Sequence, residues 1–567
     1  MTTTLTERFR FFSPAQTETP FHVIGFTGVE GLHRLFDFHI DLVCADAAVD
    51  TGALLAKPCR FEVLRDGDAA PAVFSGYPAR VEQRGFFNGY AYYAVRLRPT
   101  FWKLSQIRQS AIFLGKKLED VLRELMASQP FFQFPHEFRL TAQDYPAPEF
   151  AMQYQESLYD YICWRMEEQG AYFYVEEKNG ADTVIFADAP RSHDGGDAPT
   201  LLYAPASGLE GDRREEAVVS FSLAQTPLPR RVVLRSYDWR NPNRPVTGMA
   251  DVDENGLGDV YLSNEYVDND ASAARLAAIR AQELRCRGRI FHGASSAPVL
   301  RPGRIFRLDR HYNANFNRDY LVTEITHEGR QDAYLSLGLG IPLRDATEHL
   351  YYRNDFTAME AGIPYRPART APRTRISGVL RAFVAGDGSG ARAETDNYGR
   401  YRLTFPFDIS GRTGGNASCW IRRAQPQVGK DSGLSLPLLP GTEVLVSFVD
   451  GNPDLPVIAG ALANGETGSI SGADNANFQG LRTPGGNQIT INDTDSKQGI
   501  SLMTAAGSGL TVAAGSTESA LLDAAHIAQM AGTCGTQMAS FGLSQFSGFK
   551  VSSGAYRFDK EYYWPAL

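Results

Sequence analysis

Pro440 to Gly460 reads PGTEVLVSFVDGNPDLPVIAG. Val444, Val446 and Phe448 alternate with Leu445, Ser447 and Val449, and a period of two is what a strand covered on at least one face requires. Asp450-Gly451-Asn452-Pro453-Asp454 then gathers residues that turn chains, glycine because it takes φ > 0 and proline because it cannot donate to a ladder. Val457-Ile458-Ala459 resumes the apolar run as a second strand. This well-specified unit holds no catalytic group, so its information is architectural.

Working outward, RISGVLRAFVAG, YGRYRLTFPF, ASCWIRRAQP and PVIAGALANG are further short strands interrupted by Gly and Pro. Such spacing predicts a small closed or nearly closed barrel over 376–465, of the oligonucleotide/oligosaccharide-binding (OB-like) kind. On its N-terminal side, AGIPYRPARTAPRTR carries three prolines and no apolar period, which predicts an extended linker over 365–375.

Residues 1–364 read as β-rich, with alternating runs at Phe21–Ile24, Tyr92–Leu97 and Tyr320–Ile325. Two or three helices interrupt them. In ESLYDYICWRMEEQGAYFYVEE, Leu158, Ile162 and Met166 recur at i+4 and Gly170 stands where a left-handed residue ends a helix. DASAARLAAIRAQELRCRG is rich in residues that lose little entropy in a helix and is expected to stop at Gly288.

The last section, 466–567, changes composition. QITINDTDSKQGISLMTAAGSGLTVAAG combines short alternating strands with Gly turns and small side chains. One such chain cannot bury enough apolar area to offset about 1–2 kcal/mol of ordering entropy per residue. It needs copies of itself, as in a multi-chain β-solenoid or β-prism.

Bulk properties agree with assembly. A chain of 567 residues is expected to hold about three to five domains. A net charge of −9 with scattered signs offers no basic stripe, which disfavours nucleic acid and lipid as primary partners. Six well-separated cysteines without a CxxC pair read as scattered thiols. The start, MTTTLTERFRFFSPAQ, has no basic region followed by an apolar run, so synthesis in the cytoplasm is expected.

The sequence carries no H-E-x-x-H, G-x-x-x-x-G-K-[ST] or G-x-S-x-G motif. Glu167 and Glu168 are adjacent on a helix and point about 100° apart, a poor glycosidase dyad. No catalytic residue, cofactor or resident metal is therefore expected. His526, in LLDAAHIAQM, would become a metal ligand only if symmetry mates met on an axis. Aromatic Tyr562, Tyr563 and Trp564 are either a cap on the last solenoid layer or a docking surface for a tip protein.

Several motifs in the same order resemble VgrG proteins. These are the helix and aromatic strand at Glu156–Glu177, the L-x-P-G-x-x-F-x-L, Y-L-V-T and H-E-G series within Arg289–Arg330, NYGRYRLTFPFD, ASCWIRRAQP, the Pro440–Gly460 stretch, and LRTPGGNQITINDTDSKQGISL. The family forms the trimeric hub and spike of the bacterial type VI secretion apparatus, related to contractile phage tails. The resemblance implies a mainly β chain. A barrel-rich, phage-hub-like base with a few helices (1–364) would precede the OB-like neck and an intertwined trimeric β-helix or prism needle with an aromatic tip (466–567). It implies a homotrimer on the Hcp tube, with baseplate neighbours and a PAAR-like cap or effector at the needle end. Such a trimer would puncture target membranes and leave the cell through the apparatus without a signal peptide. The alternatives are the tail hub of a phage-like particle and, after it, a spike with peptidoglycan hydrolase activity. With few residues between barrel and needle and few given after the needle motif, a catalytic domain is not expected at either place. This sequence departs from the family pattern at Pro426-Gln427-Val428-Gly429, after RRAQ, where the loop is expected to differ.

Overall fold

The structure is a computed structural model. It describes residues 6–513, apart from 66–68, 129–132, 143–144, 191–192, 194–197, 206–215, 264, 345–350, 388–391 and 508, together with 550–552 and 555–557. The chain divides into two compact units, Met1–Ile376 with Asn452–Asp454, and Ser377–Gly451 with Leu455–Leu567.

The first unit begins with β1 (Phe9–Phe12), β2 (His22–Gly31), β3 (Arg34–Cys44), the short helix α1 (Thr51–Ala56), β4 (Cys59–Val63), β5 (Ala72–Phe87) and β6 (Tyr90–Arg98). Hydrogen bonding runs β1-β4-β5-β6-β3-β2, and β2 pairs back to β1, so six strands close on themselves. Alternate side chains fill the interior, where Phe9, Phe26, Phe38, Phe61 and Phe74 meet edge-on, tilted or stacked at centroid distances of 4.3–6.1 Å. Offset aromatic packing of this kind adds to area burial.

Next come β7 (Arg108–Phe113), α2 (Leu118–Ala127), β8 (His136–Arg139), β9 (Ala151–Ser157), α3 (Leu158–Gln169), β10 (Tyr172–Lys178) and β11 (Ala181–Ala187). Ser157 caps α3 by accepting from the Asp160 amide at 3.0 Å, and Leu158, Ile162 and Met166 are fully buried, as their spacing predicts. Gly170 ends the helix at φ 72°, and a Cβ there would stand 2.6 Å from Ile279 Cγ2. Both the turn and the close approach require glycine.

β12 (Thr200–Tyr203) and β13 (Ala217–Gln225) are followed by an inserted sheet, β14 (Arg231–Ser236), β15 (Val246–Asp251) and β16 (Asp259–Ser263), covered by α4 (Asp270–Arg285). The expected stop of α4 at Gly288 is corrected. The helix ends at Arg285 with Cys286 as its cap, and Gly288 is not left-handed. Glycine is needed there because a Cβ would meet Leu228 Cδ1 at 2.7 Å.

β17 (Arg289–Ser295), β18 (Ile305–Asp309), β19 (Asp319–Arg330) and β20 (Tyr351–Glu360) then complete a second closed ring, β19-β18-β12-β13-β17-β20, with β20 pairing back to β19. The two rings are joined along one seam, where β2 and β19 pair antiparallel from Gly31↔Glu324 to Gly25↔Arg330. At this seam Glu30 accepts from Arg301 Nε at 2.7 Å and meets His327 Nε2 at 3.1 Å. His327 Nδ1 meets Tyr352 Oη at 2.8 Å, and Asn354 Nδ2 donates to the same oxygen at 3.0 Å. His327 is thus a satisfied structural histidine. The Arg301 guanidinium and His327 hold the Glu30 carboxyl below its usual range despite burial.

The proline-rich segment after β20 lies against this unit. Tyr365 packs edge-on to Tyr172, and Arg366 donates to the carbonyls of Gly170 and Asp188 at 2.7 and 2.8 Å. Asn452–Asp454, read from the sequence only as a turn, belongs to the same unit. Asp454 accepts from the Met152 amide and pairs with Arg165, both at 2.8 Å, while Asn452 Oδ1 accepts from Arg373 at 3.1 Å. Arg165 and Arg373 both lie over Trp164, a cation–π arrangement that favours charged groups in a dry site.

Beside them Glu156 accepts from the Trp164 indole at 3.0 Å, and burial pushes its carboxyl from 4.5 up to about 7. A raised folded-state value means that the native state holds an extra proton between pH 4.5 and about 7, so stability falls as pH rises through that window. Glu156→Gln should abolish this slope. We expect its melting temperature to match the parent near pH 5 and to exceed it at pH 8, by on the order of 1–3 kcal/mol of stability. Equal pH profiles would refute the assignment.

The second unit opens with β21 (Leu380–Val384), β22 (Leu403–Thr404), β23 (Arg422–Arg423), β24 (Glu443–Phe448) and β25 (Pro456–Leu462), ordered β22-β21-β24-β25-β23. A bridge between Tyr401 and Ile421 links the two ends of the order, giving the small, nearly closed barrel expected. Val444, Val446 and Phe448 point inward, and Asp450 and Gly451 make the turn at φ 51° and 68°. β22 and β23 are shorter than their alternation suggests, because the chain bends away from the sheet on either side of the bridge.

Candidate assembly surface

After the barrel comes a meander of four strands, β26 (Phe478–Arg482), β27 (Gln488–Asn492), β28 (Gly499–Met503) and β29 (Gly509–Ala513), paired antiparallel in chain order. Its turns are specified locally. At Thr483-Pro484-Gly485-Gly486-Asn487 the Gly486 amide donates to the Thr483 carbonyl at 2.9 Å with Gly486 at φ 86°, and the Thr483 amide donates to the Asn487 carbonyl at 2.7 Å. Asn487 Oδ1 accepts from the Ala505 amide at 3.2 Å, tying this turn to the next one at the same end.

Register decides what the sheet presents. Leu481 faces Ile489, which faces Leu502, and Ile491 faces Ile500. Because strand side chains alternate, these five apolar residues share one side, while Thr490, Asn492 and Ser501 share the other. Among the described residues nothing covers the apolar side. Ile489, Ile500 and Leu502 are 42%, 51% and 46% exposed, and Leu481 and Ile491 are half-buried. A sheet with one apolar face is stable in water only when that face is packed on something.

The residues singled out for chemistry lie elsewhere or do structural work. Glu167 accepts from the Ala371 amide at 3.0 Å, whereas Glu168 pairs with Arg165 at 3.0 Å, so the two carboxylates serve separate partners. Five of the cysteines are free thiols, four of them buried. Among the described residues no cluster of His, Cys, Asp or Glu could hold a metal ion, and no helix is long and apolar enough to cross a membrane. Tyr562, Tyr563, Trp564, His526 and Cys534 lie outside the described residues. The uncovered face was missed in the sequence, although its signal is there in Ile489/Ile491 and Ile500/Leu502 at spacing two.

Fused closed barrels followed by a small barrel and an amphipathic meander define a hub-and-spike protein. The chain belongs to the phage tail baseplate hub (GPD) family, which its residues 29–333 match. It is 28% identical over 449 residues to the type VI secretion system spike protein VgrG1c of Pseudomonas aeruginosa, an alignment covering 77% of this chain and 59% of that protein. The chain thus spans about three fifths of the length of the curated relatives it matches.

Among solved structures it is similar to the E. coli c3393 protein, described as a component of the type VI secretion system resembling the T4 bacteriophage tail proteins gp27 and gp5. That likeness has a TM-score of 0.57 and 22% identity, over 80% of this chain and 100% of that one. A chain of the lidded Francisella PdpA–VgrG complex matches with a TM-score of 0.59 and 11% identity, over 87% of this chain and 75% of that one. At these identities the likenesses establish the fold. The resemblance to VgrG proteins drawn from the motifs therefore holds.

Proposed function

We propose that this chain is the spike component of a type VI secretion apparatus, a homotrimer that sits on the Hcp tube beside baseplate proteins and is driven through a target membrane. The observation that carries this reading is the uncovered apolar side of the β26–β29 meander. Three such sheets packed with Leu481, Ile489, Ile491, Ile500 and Leu502 inward would form a prism with Thr490 and Ser501 outward. Each half-exposed Ile or Leu contributes about 1 kcal/mol when buried. Strands held between chains resist forced unfolding, which suits a part pushed by a machine.

In this reading the role is mechanical rather than enzymatic, and a PAAR-like cap or an effector rides at the needle end; the Francisella complex holds a VgrG with PdpA. The trimer would assemble in the cytoplasm and be delivered by the apparatus itself. A tail hub of a phage-like particle is the second reading, favoured by the family match.

The test is the solution mass by light scattering of the full chain and of a truncation ending at Gly465. We expect about three times 62.4 kDa for the full chain and loss of the trimer on truncation. A monomeric full chain at micromolar concentration would overturn the proposal. Co-purification with a tube protein separates the two readings, because the tube identifies the machine.

A further inference from the structure

The loop that departs from the family pattern is an ordered arm. Residues 426–437 are exposed throughout, yet the arm has hairpin geometry: Val428 bridges Gly433, the Gly429 amide donates to the Ser432 carbonyl at 2.7 Å, and the Leu434 amide donates to the Gln427 carbonyl at 3.2 Å. Its base is anchored, with Arg423 donating to the Leu436 carbonyl and the buried Leu438 amide donating to Tyr401 Oη at 3.1 Å. Between anchor and turn it carries Val428, Leu434 and Leu436, the first 75% exposed, with nothing over them among the described residues. A lone two-stranded hairpin is marginal in water, so apolar residues placed along one imply a surface that receives them.

The barrel that bears the arm also has an uncovered apolar patch. Phe383 on β21 and Leu462 on β25 stand on either side of Glu443 in register, and Val379 precedes β21; all three are exposed. Arg381 lies on the same face, largely in solvent and 3.8 Å from Glu443. If this patch received its own arm, both would be buried; both are open. An arm and a patch on one barrel, each without a cover among the described residues, suit a head-to-tail contact in which every copy gives one and receives the other, and such contacts make a ring where the rotation closes.

We propose that the 426–437 arm lies on the barrel of a second copy of this chain, with Val428, Leu434 and Leu436 over Val379, Phe383 and Leu462, and Asp431 at its tip beside Arg381. The inference rests on the three-copy assembly proposed above and adds a clasp outside the meander.

The test places a photoreactive group in the full chain, Val428→p-benzoylphenylalanine, an exposed position whose replacement leaves the barrel core untouched. Solution mass is measured first, then the protein is irradiated and the joined peptides are identified by mass spectrometry. The expected result is a trimer yielding covalent multimers, with residue 428 joined to 379–383 or 460–462 of another copy. A trimer with links only within one chain, or links between copies to any other segment, overturns the arm's assignment and leaves the assembly standing. A monomer overturns both.

Discussion

Ile500→Asp with Leu502→Asp should leave a folded monomer of 62.4 kDa in place of the proposed trimer of three times that mass. The two residues lie on the uncovered side of β28, and in a three-copy prism they face the axis. Six lost burials at about 1 kcal/mol each come to roughly 6 kcal/mol per trimer. Carboxylates in a dry core would have to be neutralised or exposed, which adds to that. The association constant should therefore fall by a factor of about 10⁴ or more. Parity supplies the control. Ser501→Asp is one residue away on the opposite side and should change stability by no more than about 0.5 kcal/mol. Light scattering and the thermal melt of the first unit are the readouts. A double variant that remains trimeric would show that the meander is not the clasp.

Glu30→Ala should be the most destabilising single change at the ring seam. It removes the partner of Arg301 and of His327 in a place where Glu30 is 4% exposed. Breaking a buried pair from one side leaves the other charge uncompensated, at a cost of about 3–5 kcal/mol. For a unit as large as Met1–Ile376 with Asn452–Asp454 that is a fall of roughly 4–6 °C in melting temperature. Glu30→Met combined with Arg301→Met should cost less than Glu30→Ala alone, since no buried charge is left over. A double variant worse than the single would mean that the pair stabilises the seam beyond its own desolvation. The sign of the pH effect follows from the depressed carboxyl. Its contribution is present above the unfolded value of 4.5 and is lost as pH falls below it.

The strands of the hub were legible wherever alternation is strict, as at Tyr92–Leu97 in β6 and Tyr320–Ile325 in β19. Ring closure was not, because it depends on pairings such as β1 with β2 and β19 with β20, which no local pattern announces. α2 carries a full apolar stripe, Leu118, Val121, Leu122 and Leu125, but its cap residue Lys117 makes no side-chain bond, so the usual start signal is missing. Gly170 and Gly288 look alike in sequence; one is there for its backbone angle and the other for the space beside Leu228. Asp454 shows the limit most clearly. Its residue type suits a turn, and the same carboxylate also answers Arg165, nearly three hundred positions away. The meander's assembly side follows from parity alone, but only once register says which residues stand opposite one another.

β19 is a member of the second ring that also carries the seam to the first. Its first residues pair with β18 and its later ones with β2, while β20 runs along its other edge throughout. A single inserted or deleted residue within Asp319–Arg330 would turn the residues beyond it to the opposite face and shift their pairing with β2 and β20 together. Inserted residues should be tolerated far better in exposed turns such as 240–244 and 253–258. This dozen-residue strand is the ruler that keeps the two rings in step.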